Sequence, residues 1–306
     1  MARTAPDERP APEERPAVLL TRAPALGPLL ARGALRSPFR RPRPDAPVPH
    51  TRLVLPSARV DLARLAAYER VCGFPTGADA LPLTYPHVLG FPLAMRLMSG
   101  GGFPLPLLGL VHTSITLTRH TALRATEAYE LSVHIAGLTP HRRGTEAVVV
   151  TGLRAAGETV WESTSTYLAR HRTAGTTGEA GRSAAEAGPP PAVAEWRLPA
   201  DLGRRYGAAS GDRNPIHLHP LTARLFGFPR PIAHGMWTVA RCLAAHGVPG
   251  AVSVRAAFKA PVLLPGTVVY AADDRGRFAL RAADDGVADG AAGRVHLEGE
   301  VMAPGG

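Results

Sequence analysis

Apolar and polar positions alternate most cleanly near the C-terminus of this chain. Val252, Val254, Ala256 and Phe258 are interleaved with Ser253, Arg255 and Lys259, and Val295, Leu297 and Val301 with His296, Glu298 and Glu300. A period of two with one apolar face predicts half-buried strands over 252–258 and 294–302, with two more over 267–271 and 277–282. Ahead of them, 235–246 predicts a helix. Its Trp237, Val239, Ala240, Leu243 and Ala244 leave it apolar on most sides, so it is expected to be buried. Pro199-Ala200-Asp201 predicts the start of a short helix with Asp201 at a favourable N-terminal position. A further helical stretch around 220–226 is broken by Gly227-Phe228-Pro229-Arg230-Pro231.

The same order recurs upstream. Residues 61–71 and 86–98 predict helices, and strands are expected over 111–118, 128–136, 145–153 and 159–169. Helices followed by four strands, twice, suggest a duplicated α+β unit in which a sheet wraps around a helix. Within 86–98 the apolar Phe91, Leu93, Met95, Leu97 and Met98 read as core, with the lining of an apolar tunnel as the functional alternative.

Two stretches lack periodicity. Residues 1–49 are rich in Pro, Arg and Ala and predict a disordered or loosely draped tail. Residues 173–192 are Gly/Ala/Ser/Thr-rich, end in three prolines and read as a linker. The expected domains are therefore 50–172 and 193–303.

Composition narrows the function classes. A chain of 306 residues with 45% hydrophobic content can bury a full core. The net charge of +10 invites a nucleic-acid reading. Yet Lys259 is the only lysine, the arginines are scattered outside a cluster at Arg36, Arg40, Arg41 and Arg43, and no interleaved aromatics offer bases a platform, so no nucleic-acid partner is expected. Cys72 and Cys242 form no spaced pattern, which fits a reducing, cytoplasmic setting. No run of about 18 apolar residues predicts a membrane span, and Arg22, Pro24 and Pro28 interrupt the one stretch that could suggest a signal peptide.

Candidate chemistry is concentrated in YGAASGDRNPIHLHPLTA, from Tyr206 to Ala223. Asp212 and His217 flank Asn214-Pro215, a dipeptide that favours a turn. A carboxylate and an imidazole on one short turn suit general acid–base chemistry. His234-Gly235-Met236 opens the apolar helix, whose first N–H groups can meet developing negative charge. Taken singly, Asp212 reads as a turn residue, His217 as a structural histidine and Ser210 as a helix-terminal serine. Their joint spacing favours catalysis. His219 forms an H-x-H with His217, but no third ligand at a suitable spacing accompanies it. Neither a G-x-S-x-G elbow, for which Ser99-Gly100-Gly101-Gly102 has the wrong spacing, nor a dinucleotide fingerprint is found.

Ser210-Gly211-Asp212-Arg213-Asn214-Pro215-Ile216-His217, Phe226-Gly227-Phe228, Ile232-Ala233-His234-Gly235-Met236 and Phe258-Lys259-Ala260-Pro261-Val262-Leu263-Leu264-Pro265-Gly266 together resemble the signature of the MaoC-like dehydratases, also called (R)-specific or type-2 enoyl-CoA hydratases. Pro82-Leu83-Thr84-Tyr85-Pro86 and the region 109–112 are similar to the degenerate N-terminal half of single-chain double hot-dog members found in actinobacteria. The resemblance implies a double hot-dog fold that pairs two copies within one chain, leaving open whether this pseudo-dimer dimerises again. It implies reversible syn hydration of a trans-2-enoyl thioester to an (R)-3-hydroxyacyl thioester in fatty-acid metabolism. Asp212 and His217 would be catalytic, Asn214 would orient them, and the Gly235 N–H would bind the thioester carbonyl. Ser210 and His234 are candidate substrate contacts. No metal or redox cofactor is implied; the substrate arrives on coenzyme A or acyl carrier protein. A thioesterase on the same fold and a non-catalytic acyl-CoA or carrier-protein binding module are the competing classes, since fold alone does not fix chemistry.

Overall fold

The computed structural model describes residues 15–173, 188–283 and 293–303. The order is β1 (Ala17–Leu19), α1 (Leu26–Arg36), β2 (Arg52–Arg59), α2 (Leu62–Cys72), α3 (Tyr85–Met98), β3 (Val111–Arg119), β4 (Ala128–His141), β5 (Gly144–Ala155) and β6 (Glu158–Arg170). It continues through β7 (Ala192–Leu198), α4 (Leu202–Ser210), α5 (Pro220–Leu225), α6 (Gly235–His246), β8 (Val252–Phe258), β9 (Gly266–Ala272), β10 (Arg277–Ala282) and β11 (Val295–Met302). The strands form one 11-stranded sheet in the order β1-β2-β4-β5-β6-β3-β8-β11-β10-β9-β7.

The two expected units are thus two halves of a continuous sheet, joined where β3 and β8 pair antiparallel from Ser114 opposite Ala257 to Arg119 opposite Val252. Their buried apolar side chains form one cluster. Trp237 on α6 donates its indole N–H to the Val71 carbonyl at 2.8 Å, and Tyr68 on α2 approaches Tyr206 on α4 at 5.9 Å between ring centroids. These contacts cross the halves and leave little freedom for one to move against the other. Asp61 caps α2 by accepting from the Arg64 N–H at 3.1 Å, as its sequence position suggests. Asp201 precedes α4 but makes no capping bond.

One correction concerns the expected tail. Residues 1–14 lie outside the described residues, but 15–49 are built into the fold. Val18 pairs with Leu53 in the parallel β1–β2 ladder, Leu26, Leu29 and Leu30 of α1 pack on the core, and Arg15 donates to the Ile135 and Ala136 carbonyls. Pro28 does not break α1 because it occupies the third position, where an N–H would have no intrahelical acceptor. The linker prediction falls mostly on residues 174–187, which lie outside the described residues; its last residue begins β7. Cys72 and Cys242 are buried and unpaired. Among the described residues no helix is long and apolar enough to cross a membrane.

Candidate active site

The turn after α4 is held from within. Gly211 ends α4 in the left-handed region at φ 84°, a conformation glycine adopts without cost. The Asp212 N–H then donates to Ser210 Oγ at 3.2 Å, the Asn214 N–H to Asp212 Oδ1 at 3.2 Å, and the Ile216 N–H to Asn214 Oδ1 at 3.4 Å. These local side-chain-to-backbone bonds convert the S-G-D-R-N-P-I-H string into a fixed ladder. Asn214 therefore orients Asp212 through its backbone N–H, while its side chain caps the 3-10 turn Pro215–His217. Ser210 holds the Asp212 backbone.

The ladder rests on a bare face of α4. A Cβ on Gly207 would come within 2.8 Å of the Asp212 carbonyl oxygen, and one on Gly203 would overlap the carbonyl oxygen of His217. Sequence reasoning did not single out these two glycines. A Gly-x-x-x-Gly spacing just ahead of the turn was the available signal.

Opposite the ladder runs the segment 231–234, pinned between two partners. Ile232 donates its N–H to Ile216, Ala233 to Val262, and Leu264 to Pro231, at 3.2, 2.8 and 2.7 Å. His217 Nδ1 lies 2.7 Å from the Ile232 carbonyl and His234 Nε2 lies 2.9 Å from the Asp212 carbonyl. A carbonyl only accepts, so both of these nitrogens carry the proton and His217 Nε2 and His234 Nδ1 hold lone pairs. His217 Nε2 makes no hydrogen bond among the described residues. His234 is 2% exposed, its ring stacks on His217 at 3.6 Å, and its Nε2 lies 3.9 Å from Asp212 Oδ2. His234 thus ties the acid-bearing and base-bearing segments together, and it also lines the cavity.

One ligand-capable atom from each of Asp212, His217 and His234 lies within 4.8 Å of the others. A water at about 2.8 Å from two such atoms bridges them at a near-tetrahedral angle. A metal suits the trio less well. Imidazole lone pairs lie in the ring plane, and rings stacked at 3.6 Å with 26° between planes cannot both aim at one ion. His219 is not part of the group; its Nδ1 accepts from the Leu221 N–H at the start of α5.

Burial sets the titration of the pair. Asp212 keeps 28% of its side-chain surface accessible, on the cavity it lines, and burial of the rest raises its pKa, opposed by His217 and the Asn214 N–H. Burial lowers that of His217, opposed by Asp212 and by the Ile232 carbonyl. Burial thus disfavours the charged form of each, and the attraction between them opposes it.

All six expected site residues, Ser210, Asp212, Asn214, His217, His234 and Gly235, line one cavity of about 1290 Å³. The other half of the chain lines it too, through His87, Phe91, Met95 and Met98 of α3, His112 of β3 and Tyr167 of β6. Gly235 opens α6, which has no side-chain cap, so its first N–H groups are not occupied by a capping side chain. The resemblance to the hydratases gives one reason for glycine there, the approach of a bulky thioester to a backbone with no Cβ in the way. The geometry gives another reason: a Cβ at 235 would meet the Phe258 ring at 2.9 Å.

The chain is similar to known proteins over most of its length. The MaoC like domain family matches residues 184–287. The chain is 38% identical over 244 residues to 3-hydroxyacyl-thioester dehydratase X of Mycobacterium tuberculosis, covering 78% of this chain and 86% of that protein. The crystal structure of HtdX from Mycobacterium tuberculosis superposes with a TM-score of 0.69 at 34% identity, over 82% of this chain and 99% of that one. A MaoC-like dehydratase from Phytophthora capsici shares the fold at 17% identity, with a TM-score of 0.62 over 85% of this chain and 96% of that one. The chain belongs to the MaoC-like dehydratase family and has its double hot-dog fold.

Proposed function

We propose that the protein is a hydro-lyase that adds water reversibly across C2=C3 of a trans-2-enoyl thioester, giving an (R)-3-hydroxyacyl thioester. The observation that carries this reading is the convergence of Asp212 and His217 on one wall of a cavity that also contains the uncapped start of α6. Asp212 and His217 Nε2 hold the water. As its oxygen bonds to C3, one O–H bond breaks and His217 Nε2 takes the proton. Charge moves onto the thioester oxygen, where the Gly235 N–H meets it with little reorganisation. The imidazolium then returns the proton to C2 on the same face, so water's oxygen and both its hydrogens are accounted for. Dehydration reverses each step with the same groups. None of these steps calls for a metal or redox cofactor.

Five exposed arginines, Arg142, Arg143, Arg170, Arg213 and Arg294, line the cavity and supply the charge that a phosphate-bearing carrier, coenzyme A or the prosthetic group of acyl carrier protein, would meet. Reversing Arg142 and Arg143 to glutamate is expected to raise KM for enoyl-CoA about tenfold at low ionic strength, by removing two favourable charges and adding two repulsive ones. The effect should shrink in high salt. An unchanged KM would remove the carrier phosphates from this rim.

The pH profile has a definite sign. Catalysis needs Asp212 ionised and His217 neutral, and lowering the pH protonates the pair. Hydration kcat/KM is therefore expected to be flat near neutrality and to fall on the acid side, with a midpoint below the ordinary imidazole value of about 6.5. A rate that rises as pH falls would contradict these protonation states. The reading itself is tested by absorbance at the enoyl-thioester band with trans-2-enoyl-CoAs, alongside a thiol assay. Loss of the band without free thiol supports hydration. Thiol release would mean thioester cleavage, and binding without either would leave a binding module.

A further inference from the structure

The half of the chain that lacks the acid–base turn contributes polar groups to the cavity that the reaction does not use. His87 on α3 and His112 on β3 stack at 5.9 Å between ring centroids with 13° between planes, and Tyr167 continues the stack at 4.5 Å from His112. Phe258, which lies against Gly235, touches His112 at 4.7 Å, so the stack begins one ring away from the start of α6. His87 is only 9% exposed and makes no hydrogen bond through either nitrogen among the described residues. Its Nδ1 and the Nε2 of His112 are both buried without a partner.

An imidazole such as His87 on a wall that otherwise turns apolar is costly to leave unpaired, and phenylalanine would fill the same space without that cost. His87 Nε2 is the unpartnered nitrogen of the pair that stays open to the cavity, and a ligand oxygen that meets it recovers part of that cost. The direction of the cavity identifies which part of the substrate passes there. His87 begins a stripe on α3 continued by Phe91, Met95 and Met98, one and two turns further on and beyond, and all four line the cavity. A chain leaving the reacting carbons along this stripe meets the imidazoles first and the apolar side chains afterwards.

We infer that His87, held in its stack by His112, forms a recognition site for an oxygen function, a hydroxyl or oxo group, carried on the acyl chain a few carbons beyond C3. This rests on the hydratase reading above and adds the substrate class: oxygenated acyl thioesters, as distinct from plain alkyl ones. Burial pushes His87 down to about 4 and His112 well below the usual imidazole range, so both are neutral and suit an uncharged partner better than a carboxylate. The His112 ring is bonded to the Ser114 backbone, whereas neutral His87 offers Nε2 as donor or acceptor according to its tautomer, which serves a hydroxyl in either sense and a carbonyl through the donor.

The test compares kcat/KM for trans-2-octenoyl-CoA with that for its 5-, 6-, 7- and 8-hydroxy derivatives, in wild type and in His87→Phe and His112→Phe. Wild type is expected to favour at least one hydroxylated isomer about tenfold over the plain chain, the value of roughly one net hydrogen bond. In both variants that ratio should fall, in His87→Phe to about one, and His87→Gln, which restores a polar atom near Nε2, should recover part of it. The ratio is the readout, so a general loss of folding or rate does not imitate the result. No preferred isomer in wild type would overturn the inference. So would variants that slow every substrate equally, which would assign the pair to shape or to the carrier arm. Failure of wild type on plain octenoyl-CoA would instead sink the hydratase reading, and this inference with it.

Discussion

Replacing Asp212 with asparagine or His217 with alanine is expected to lower kcat/KM for hydration by about two to four powers of ten, the usual weight of one general acid–base group. Asparagine preserves the shape of the ladder, because its Oδ1 can still accept the Asn214 N–H that now bonds Asp212 Oδ1. It removes the charge and half the grip on water. Alanine at 217 removes the Nε2 lone pair and also the bond that His217 makes to the Ile232 carbonyl. The two groups hold one water, so their losses should not add, and the double variant is expected to be no slower than the slower single variant. Multiplying effects in the double variant would mean that the residues act on separate steps.

Gly203→Ala is expected to have the second largest effect, although residue 203 touches no substrate in this account. Its Cβ would occupy the position of the His217 carbonyl oxygen. Neither α4 nor the 3-10 turn is a flexible side-chain end, so backbone has to move. Overpacking of this kind costs about 1–3 kcal/mol, and a displacement of about 1 Å at a catalytic group costs on the order of a hundredfold in rate. Thermal unfolding and kcat/KM should therefore both fall. Gly188→Ala, where an added Cβ meets nothing within 4 Å, serves as the control that should change neither. If Gly203→Ala matches that control, the turn is not seated on α4 in the way described.

The parts of the fold with a strong period were legible in the sequence. The strands of the sheet centre and the buried α6 carry one apolar face or none that is polar, and the helix over 235–246 matches the structure end to end. The elements that escaped each carry a locally contrary signal. β2 contains Pro56, which sits where the register with β4 shifts, a bulge position that tolerates proline. β7 follows three prolines, stands at the sheet edge beside β9 alone and is largely exposed, so little alternation marks it. α1 contains Pro28 and Gly33, and only its packing on α3 and Leu107 makes it a helix worth forming.

The candidate site shows the same division. Asp212 and His217 were legible because their ladder is local, built from bonds between residues two apart. What the sequence could not convey are contacts made across the fold. These include the seat of the ladder on Gly203 and Gly207 and the hold of His234 on the Asp212 carbonyl. They also include the arrival of His87, His112 and Tyr167 from the other half. The 86–98 helix reads as uniform core in one dimension, yet in three Leu93 and Leu97 pack in the core alone, while Phe91, Met95 and Met98 pack on the core and also line the cavity.

The central claim is that one cluster handles both the oxygen and the proton on a single face of the substrate. Hydrating trans-2-octenoyl-CoA in deuterium oxide and determining the configuration at C2 and C3 tests it most directly. The account predicts one diastereomer, (R) at C3, with deuterium and hydroxyl added to the same face. Deuterium and hydroxyl on opposite faces, or a mixture at C2, would contradict it, because Asp212, His217 and the water they hold occupy one side only.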